Sequence, residues 1–194
     1  FTLTKVASVI SLALPPMVIA PLTFGTLIYT GSSNNGNLNS IFFIAFFFST
    51  ILSLFTVIYL KRIGKISDLD ASIREQRIEP LVLGTIYHAV GFILLRLSNA
   101  APIVQGLMFC YAFNTAIVWF ITRKWKISIH AIGLAGPMMA LWLHGFYFPI
   151  PMGLALVLVS MSRVILKAHT PIEVTAGVIL GMGLTLIELQ FLFL

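Results

Sequence analysis

Long apolar runs broken by short polar segments set the pattern of this sequence. Read against their breakers, the runs give seven candidate spans: residues 6–29, 41–60, 81–97, 103–121 and 129–148, a sixth that follows Pro149-Ile-Pro151 and reaches about 166, and a last that follows Glu173 to the C-terminus. Such runs are close to the ~20 apolar residues that carry a helix across a bilayer. Pro15, Pro16 and Pro21 lie inside the first run, which predicts a kinked or broken helix whose freed carbonyls need protein or water partners. The breakers differ in kind. Gly31 to Asn37 is a polar turn segment without charge, Lys61 to Glu79 is the most polar stretch, and Arg123-Lys124-Trp125-Lys126 is a short basic loop. No internal repeat or low-complexity tract interrupts the series.

Composition narrows the class. Of 194 residues, 59% are hydrophobic and only 9% charged, with a mean hydropathy of +1.02. A soluble globular domain carries roughly 25% charged residues, and a disordered chain needs low hydrophobicity with high charge, so both are excluded. The expected fold is an all-α polytopic transmembrane bundle of six to seven spans, with no room for a soluble domain of useful size. Cys110, the single cysteine, excludes an intramolecular disulfide and a cysteine metal cluster.

Charge then assigns sides. Eleven of the twelve Lys and Arg fall at the N-terminus or in the loops after spans two, four and six, and only Arg96 lies opposite. By the positive-inside rule the N-terminus and these loops are cytoplasmic, and with seven spans the C-terminus is outside. The net charge of +6 is explained by topology and attraction to anionic headgroups, so membrane lipids are the expected surroundings. Short loops offer no extended basic face for nucleic acid.

Polar side chains at membrane depth are costly and mark candidate sites. His130 and His169 stand at the cytoplasmic edge of spans five and seven, each beside basic residues. Phosphoryl transfer needs a nucleophile, an acid for the leaving oxygen and cations on the equatorial oxygens, which two histidines among Arg and Lys provide. His88 and His144, inside spans three and five, read as interhelical hydrogen-bonding groups. Asn114, Gln105 and Glu188 read as interhelical contacts or outer-face residues. Asp68 and Asp70 read as capping groups that pair with Lys65 and Arg74.

The segment Ser162-Arg163, five residues, His169, three residues, Glu173, followed by Ala176, Gly177 and Gly181, resembles the third signature of the type 2 phosphatidic acid phosphatase superfamily, the lipid phosphate phosphatases. Glu173 stands where that signature usually has Asp. Ile127-Ser128-Ile129-His130 resembles the second signature, Pro-Ser-Gly-His, keeping Ser and His. The first signature, Lys, six residues, Arg-Pro, is matched least: Arg74 and Arg77 lack a Lys seven residues before them, and Asp70 occupies that place for Arg77. The order is preserved over roughly residues 61 to 183.

The resemblance implies a phosphatase-like membrane core at residues 61–194, preceded by N-terminal spans at 1–60. It implies that His169 attacks phosphorus and becomes a phosphohistidine, that Glu173 orients its imidazole, and that His130 protonates the leaving alkoxide. Arg163, with Arg77 or Arg74, Ser128 and Ser162, would bind the phosphate of a lipid or isoprenoid substrate. Family members need no metal or other cofactor. The alternative is a catalytically degraded relative acting as a subunit or scaffold in a membrane complex, because the missing Lys removes a cation from a dianion site and Ile129 replaces a permissive Gly.

Overall fold

The computed structural model describes residues 2–31 and 37–194, so the middle of the polar turn at 31–37 lies outside the described residues. The regular structure described is helical: α1 Thr2–Ala13, α2 Pro16–Thr30, α3 Leu38–Phe46, α4 Leu52–Arg62, α5 Ile78–Leu97, α6 Pro102–Thr122, α7 Ile129–Leu143, α8 Pro149–Ile165 and α9 Pro171–Leu192. A π-helical turn, Phe47–Ile51, joins α3 to α4, and a 3-10 turn, Arg74–Arg77, leads into α5.

The first run breaks where expected. Pro15 and Pro16 remove two successive N–H donors, and α1 and α2 meet at a 42° bend. Pro21 is absorbed inside α2 without breaking it. Leu38–Arg62, Arg74–Leu97, Pro102–Thr122 and Pro171–Leu192 are each long and apolar enough to cross a membrane, and the bent α1–α2 pair makes a fifth candidate. Several helices of the chain could thus span a membrane, consistent with a multi-pass membrane protein. α7 and α8 have 15 and 17 residues; at ~1.5 Å per residue they fall short of the ~30 Å hydrocarbon thickness. The expected fifth run to 148 stops at Leu143 because Gly145 adopts φ 99°. Hydropathy does not register that turn, since Phe146 and Phe148 continue the apolar run beyond it.

The main core lies toward one end, where Phe24, Leu27 and Ile28 of α2 meet Ile41, Leu95, Val104, Met108 and Leu189. Toward the other end the core thins to Leu81, Val118 and Ile127, and there the polar side chains gather. α7 and α9 approach closely along small residues. A Cβ on Gly177 would sit 2.9 Å from the Ser128 carbonyl oxygen, and one on Gly181 3.0 Å from that of Ile132. Gly183 on the same helix faces open space. Gly177→Ala is expected to cost about 1–3 kcal/mol because the backbone must shift, whereas Gly183→Ala is expected to be neutral or slightly stabilising through helix propensity. Thermal unfolding of the two variants in detergent checks the contrast.

Candidate active site

Local rules place His169. After α8 the chain turns through Lys167 at φ 54°, and the N–H groups of Ala168 and His169 both donate to the Arg163 carbonyl, at 3.0 and 3.2 Å. This closure brings His169 back beside Arg163. α9 then starts with a capping box: Thr170 Oγ1 accepts from the Glu173 N–H, and Glu173 Oε2 accepts from the Thr170 N–H, both at 3.3 Å. The same Glu173 oxygen lies 2.7 Å from His169 Nδ1.

The far side of the ring fixes its tautomer. Arg77 Nη2 lies 3.4 Å from His169 Nε2. A guanidinium has only donors, so Nε2 accepts, Nδ1 carries the proton, and that proton is donated to Glu173. His169 is thus a neutral imidazole whose lone pair faces a cation. Burial, followed by the charges of Arg77, Lys126, Arg163 and His130, depresses its pKa to about 3. Because the folded value lies below the ordinary 6.5, lowering the pH should not protonate this ring until well into the acid range. The expected result is a His169 side chain whose ¹⁵N shifts hold the Nδ1–H tautomer from neutral pH down to about 5; a midpoint near 6.5 would contradict the arrangement.

Three loops converge on this ring. Arg77, buried at 2% exposure, donates from Nε to the Ala71 carbonyl at 2.7 Å and from Nη1 to that of Ile127 at 3.0 Å. Lys126 Nζ donates to the Ala168 carbonyl at 2.7 Å; burial and then the Arg77 charge lower its pKa. The Ser128 N–H donates to the Glu173 carbonyl at 3.3 Å. Arg163 Nη1 donates to Ser11 Oγ at 2.7 Å and to Asp70 Oδ2 at 2.8 Å, while its buried Nε lacks a partner. His130, also buried, has Nε2 4.0 Å from Asp70 Oδ1.

The other sequence candidates fall elsewhere. Arg74 pairs with Glu75 at 2.6 Å and donates to the Arg123 carbonyl, so Arg77 is the arginine brought to His169. Ser128 is fully buried as the N-cap of α7, accepting from the Ala131 N–H. Ser162 donates to the Val159 carbonyl of its own helix. The expected pairing of Asp68 and Asp70 with Lys65 and Arg74 is corrected: Lys65 pairs with Glu79 at 2.9 Å, Arg74 with Glu75, and Asp70 with Arg163. Asp68 does cap its turn, accepting from the Asp70 and Ser72 N–H groups and from Ser72 Oγ. Burial acts upward on its pKa, but hydrogen bonds from Ser72, Ser67 and Asp70 outweigh it and lower the value.

Of the membrane-depth residues, Asn114 donates to Thr185 across α6 and α9 at 3.3 Å, as an interhelical contact. Gln105 instead bonds the Ala100 carbonyl beside it. His88 lies with its ring centroid 5.3 Å from that of Tyr111, the planes tilted by 41°, and its Nδ1 is unpartnered, while His144 caps α7 and stacks on Phe146. Among the described residues no group of three His, Cys, Asp or Glu side chains is arranged for a metal ion. An apolar groove of ≈ 520 Å³ opens between α8 and α9, lined by residues including Val157, Met161, Val164, Val174 and Val178. The chain matches no family model, no curated protein and no solved structure.

Proposed function

We propose that this protein is a membrane-embedded phosphatase that hydrolyses a phosphomonoester or diphosphate on a lipid or isoprenoid through a phosphohistidine. The observation that carries the reading is the neutral His169 imidazole, held by Glu173 on Nδ1 and presenting the Nε2 lone pair toward Arg77. The resemblance of residues 61 to 183 to the lipid phosphate phosphatases supports it. In this reading α7 and α8 count as spans, giving six to seven in all, and the site lies at the cytoplasmic face, where the basic loops gather.

Arg77 Nη2 turns its N–H from His169 Nε2 to a phosphoryl oxygen, and the freed Nε2 lone pair forms a bond to phosphorus as the bond from phosphorus to the lipid oxygen breaks. Arg77, Arg163 and Lys126 balance the charge on the phosphoryl oxygens. His130, protonated once the phosphate dianion lies beside it, gives that proton to the leaving alkoxide and is left neutral. Water then attacks phosphorus with His130 as base, the N–P bond breaks, and inorganic phosphate leaves with His169 restored. The groove between α8 and α9 offers an apolar surface for the chain of the substrate. No step requires a metal. The test is phosphate release by the purified chain from a panel of phosphatidic acid and isoprenyl phosphates in mixed micelles, with and without His169.

A second reading is favoured by one contact. The Asp70 carboxylate lies on Arg163 at 2.8 Å, where a substrate oxygen would be expected, and this is the arrangement of a site retained without turnover in a subunit or scaffold of a membrane complex. A chain that releases no phosphate from any substrate of the panel and copurifies with a partner in defined ratio would establish that reading instead.

A further inference from the structure

Resting on the assignment of this cradle to phosphate, we infer that the Asp70 carboxylate is a built-in occupant of the anion position, one that a phosphoryl group must displace before it reaches Arg163. Three observations converge on it. The two oxygens of Asp70 are divided between the groups that would serve the substrate: Oδ2 accepts from Arg163 Nη1 at 2.8 Å, and Oδ1 lies 4.0 Å from His130 Nε2. The Arg163 side chain is 2% exposed and that of Asp70 45%, so the carboxylate covers the guanidinium and has water on its outer side into which it can swing. The loop that carries it is built for presentation. Asp68 ties down the Asp70 and Ser72 N–H groups, and Ala71, at φ 44°, turns its carbonyl to Arg77.

The consequence is competition. A carboxylate tethered beside one guanidinium acts at high local concentration, and an external phosphate gains only the difference between its own contacts and those of Asp70. The unpartnered Nε of Arg163 gives phosphate a donor beyond the Nη1 that Asp70 engages. Asp70 therefore sets the affinity and the selectivity of the site, favouring ligands able to engage Arg163 with two oxygens over monodentate carboxylates.

The test uses the full chain in detergent, with inorganic phosphate and, separately, micellar dodecyl phosphate as probes, so that a free anion and a lipid-borne one are distinguished. Asp70→Asn and Asp70→Ala are each expected to tighten binding about tenfold or more, and Asp70→Glu to stay near the parent. Arg163→Gln placed on Asp70→Asn should remove the gain. In the parent chain, saturating phosphate should speed amide exchange at residues 68–72 as the loop is released, a readout that needs no variant to fold. Unchanged or weaker binding in folded Asp70→Asn, or slower exchange at 68–72, overturns the inference. If that occurs while His169→Ala still abolishes turnover, the phosphatase reading stands alone. If neither probe binds the parent or any Asp70 variant, both fall.

Discussion

His169→Ala is expected to lower phosphate release by about three orders of magnitude or more, to the level of the uncatalysed assay, while the protein still extracts and elutes as the parent does. The size of the effect follows from what the ring does. Its Nε2 is the lone pair on this face that is both neutral and oriented, with Nδ1 secured by Glu173 and the lone pair aimed toward Arg77. Alanine leaves the cations able to bind phosphate but nothing to accept the phosphoryl group, so substrate binding should survive better than turnover. Glu173→Gln should lose less, because an amide oxygen can still accept from Nδ1–H; its cost is a neutral partner for the ring and a weaker cap on α9. Release assays with a single-turnover arm separate these outcomes. A His169→Ala chain working at the parent rate would end the phosphohistidine reading.

The helices were largely legible because membrane spans advertise themselves by uninterrupted apolarity. Expected bounds of 41–60 and 103–121 became Leu38–Arg62 and Pro102–Thr122. One expected bound moved because of a backbone event that hydropathy does not encode: the glycine turn at Gly145 ends the fifth run at Leu143, while the sixth, expected to reach about 166, ends at Ile165. The pair His169 and Glu173 came from the resemblance to the family signature, and the structure supplies a local reason for it. Thr170, Pro171 and Glu173 carry the pattern of a capped helix start, and a residue just before such a cap lies within reach of the Glu.

The rest of the cradle was not legible, because its contacts are long-range. Spacing alone left Arg74 and Arg77 equivalent, and the 3-10 turn that carries both buries Arg77 and leaves Arg74 half-buried beside Glu75. Ser11 reaches Arg163 across 152 positions and Asp70 across 93, distances over which no periodicity carries information. A physical signal did exist for Asp70. A cation that ends up buried at a membrane edge needs an anionic partner, but five of the six acids in the chain, all except Glu188, lie on the basic side, so that signal narrows the partner only to this set. The local pairing with Lys65 and Arg74 was preferred because it was near in sequence, and those two cations found Glu79 and Glu75 instead.

Arg77→Ala is expected to cost about 3–5 kcal/mol of stability and to abolish phosphate release. Arg77 joins three separate segments through one guanidinium, bonding the Ala71 and Ile127 carbonyls and facing His169. Truncation strands two carbonyls at a position with almost no access to water, and each buried acceptor left without a donor costs about 1–3 kcal/mol. It also lets the 63–77 loop drift, taking Asp70 with it. Arg77→Lys divides the structural role from the electrostatic one. An ammonium keeps the positive charge near His169 but cannot serve three acceptors lying in the plane of a fork, so Lys should recover part of the stability and little of the rate. Unfolding in detergent, followed for parent, Arg77→Lys and Arg77→Ala, gives the order of stability, and release assays on the same samples give the order of rates. Should Arg77→Ala unfold at the parent's midpoint, water has reached those carbonyls and the convergence of the three loops is held by Lys126 and the Ser128–Glu173 contact rather than by Arg77.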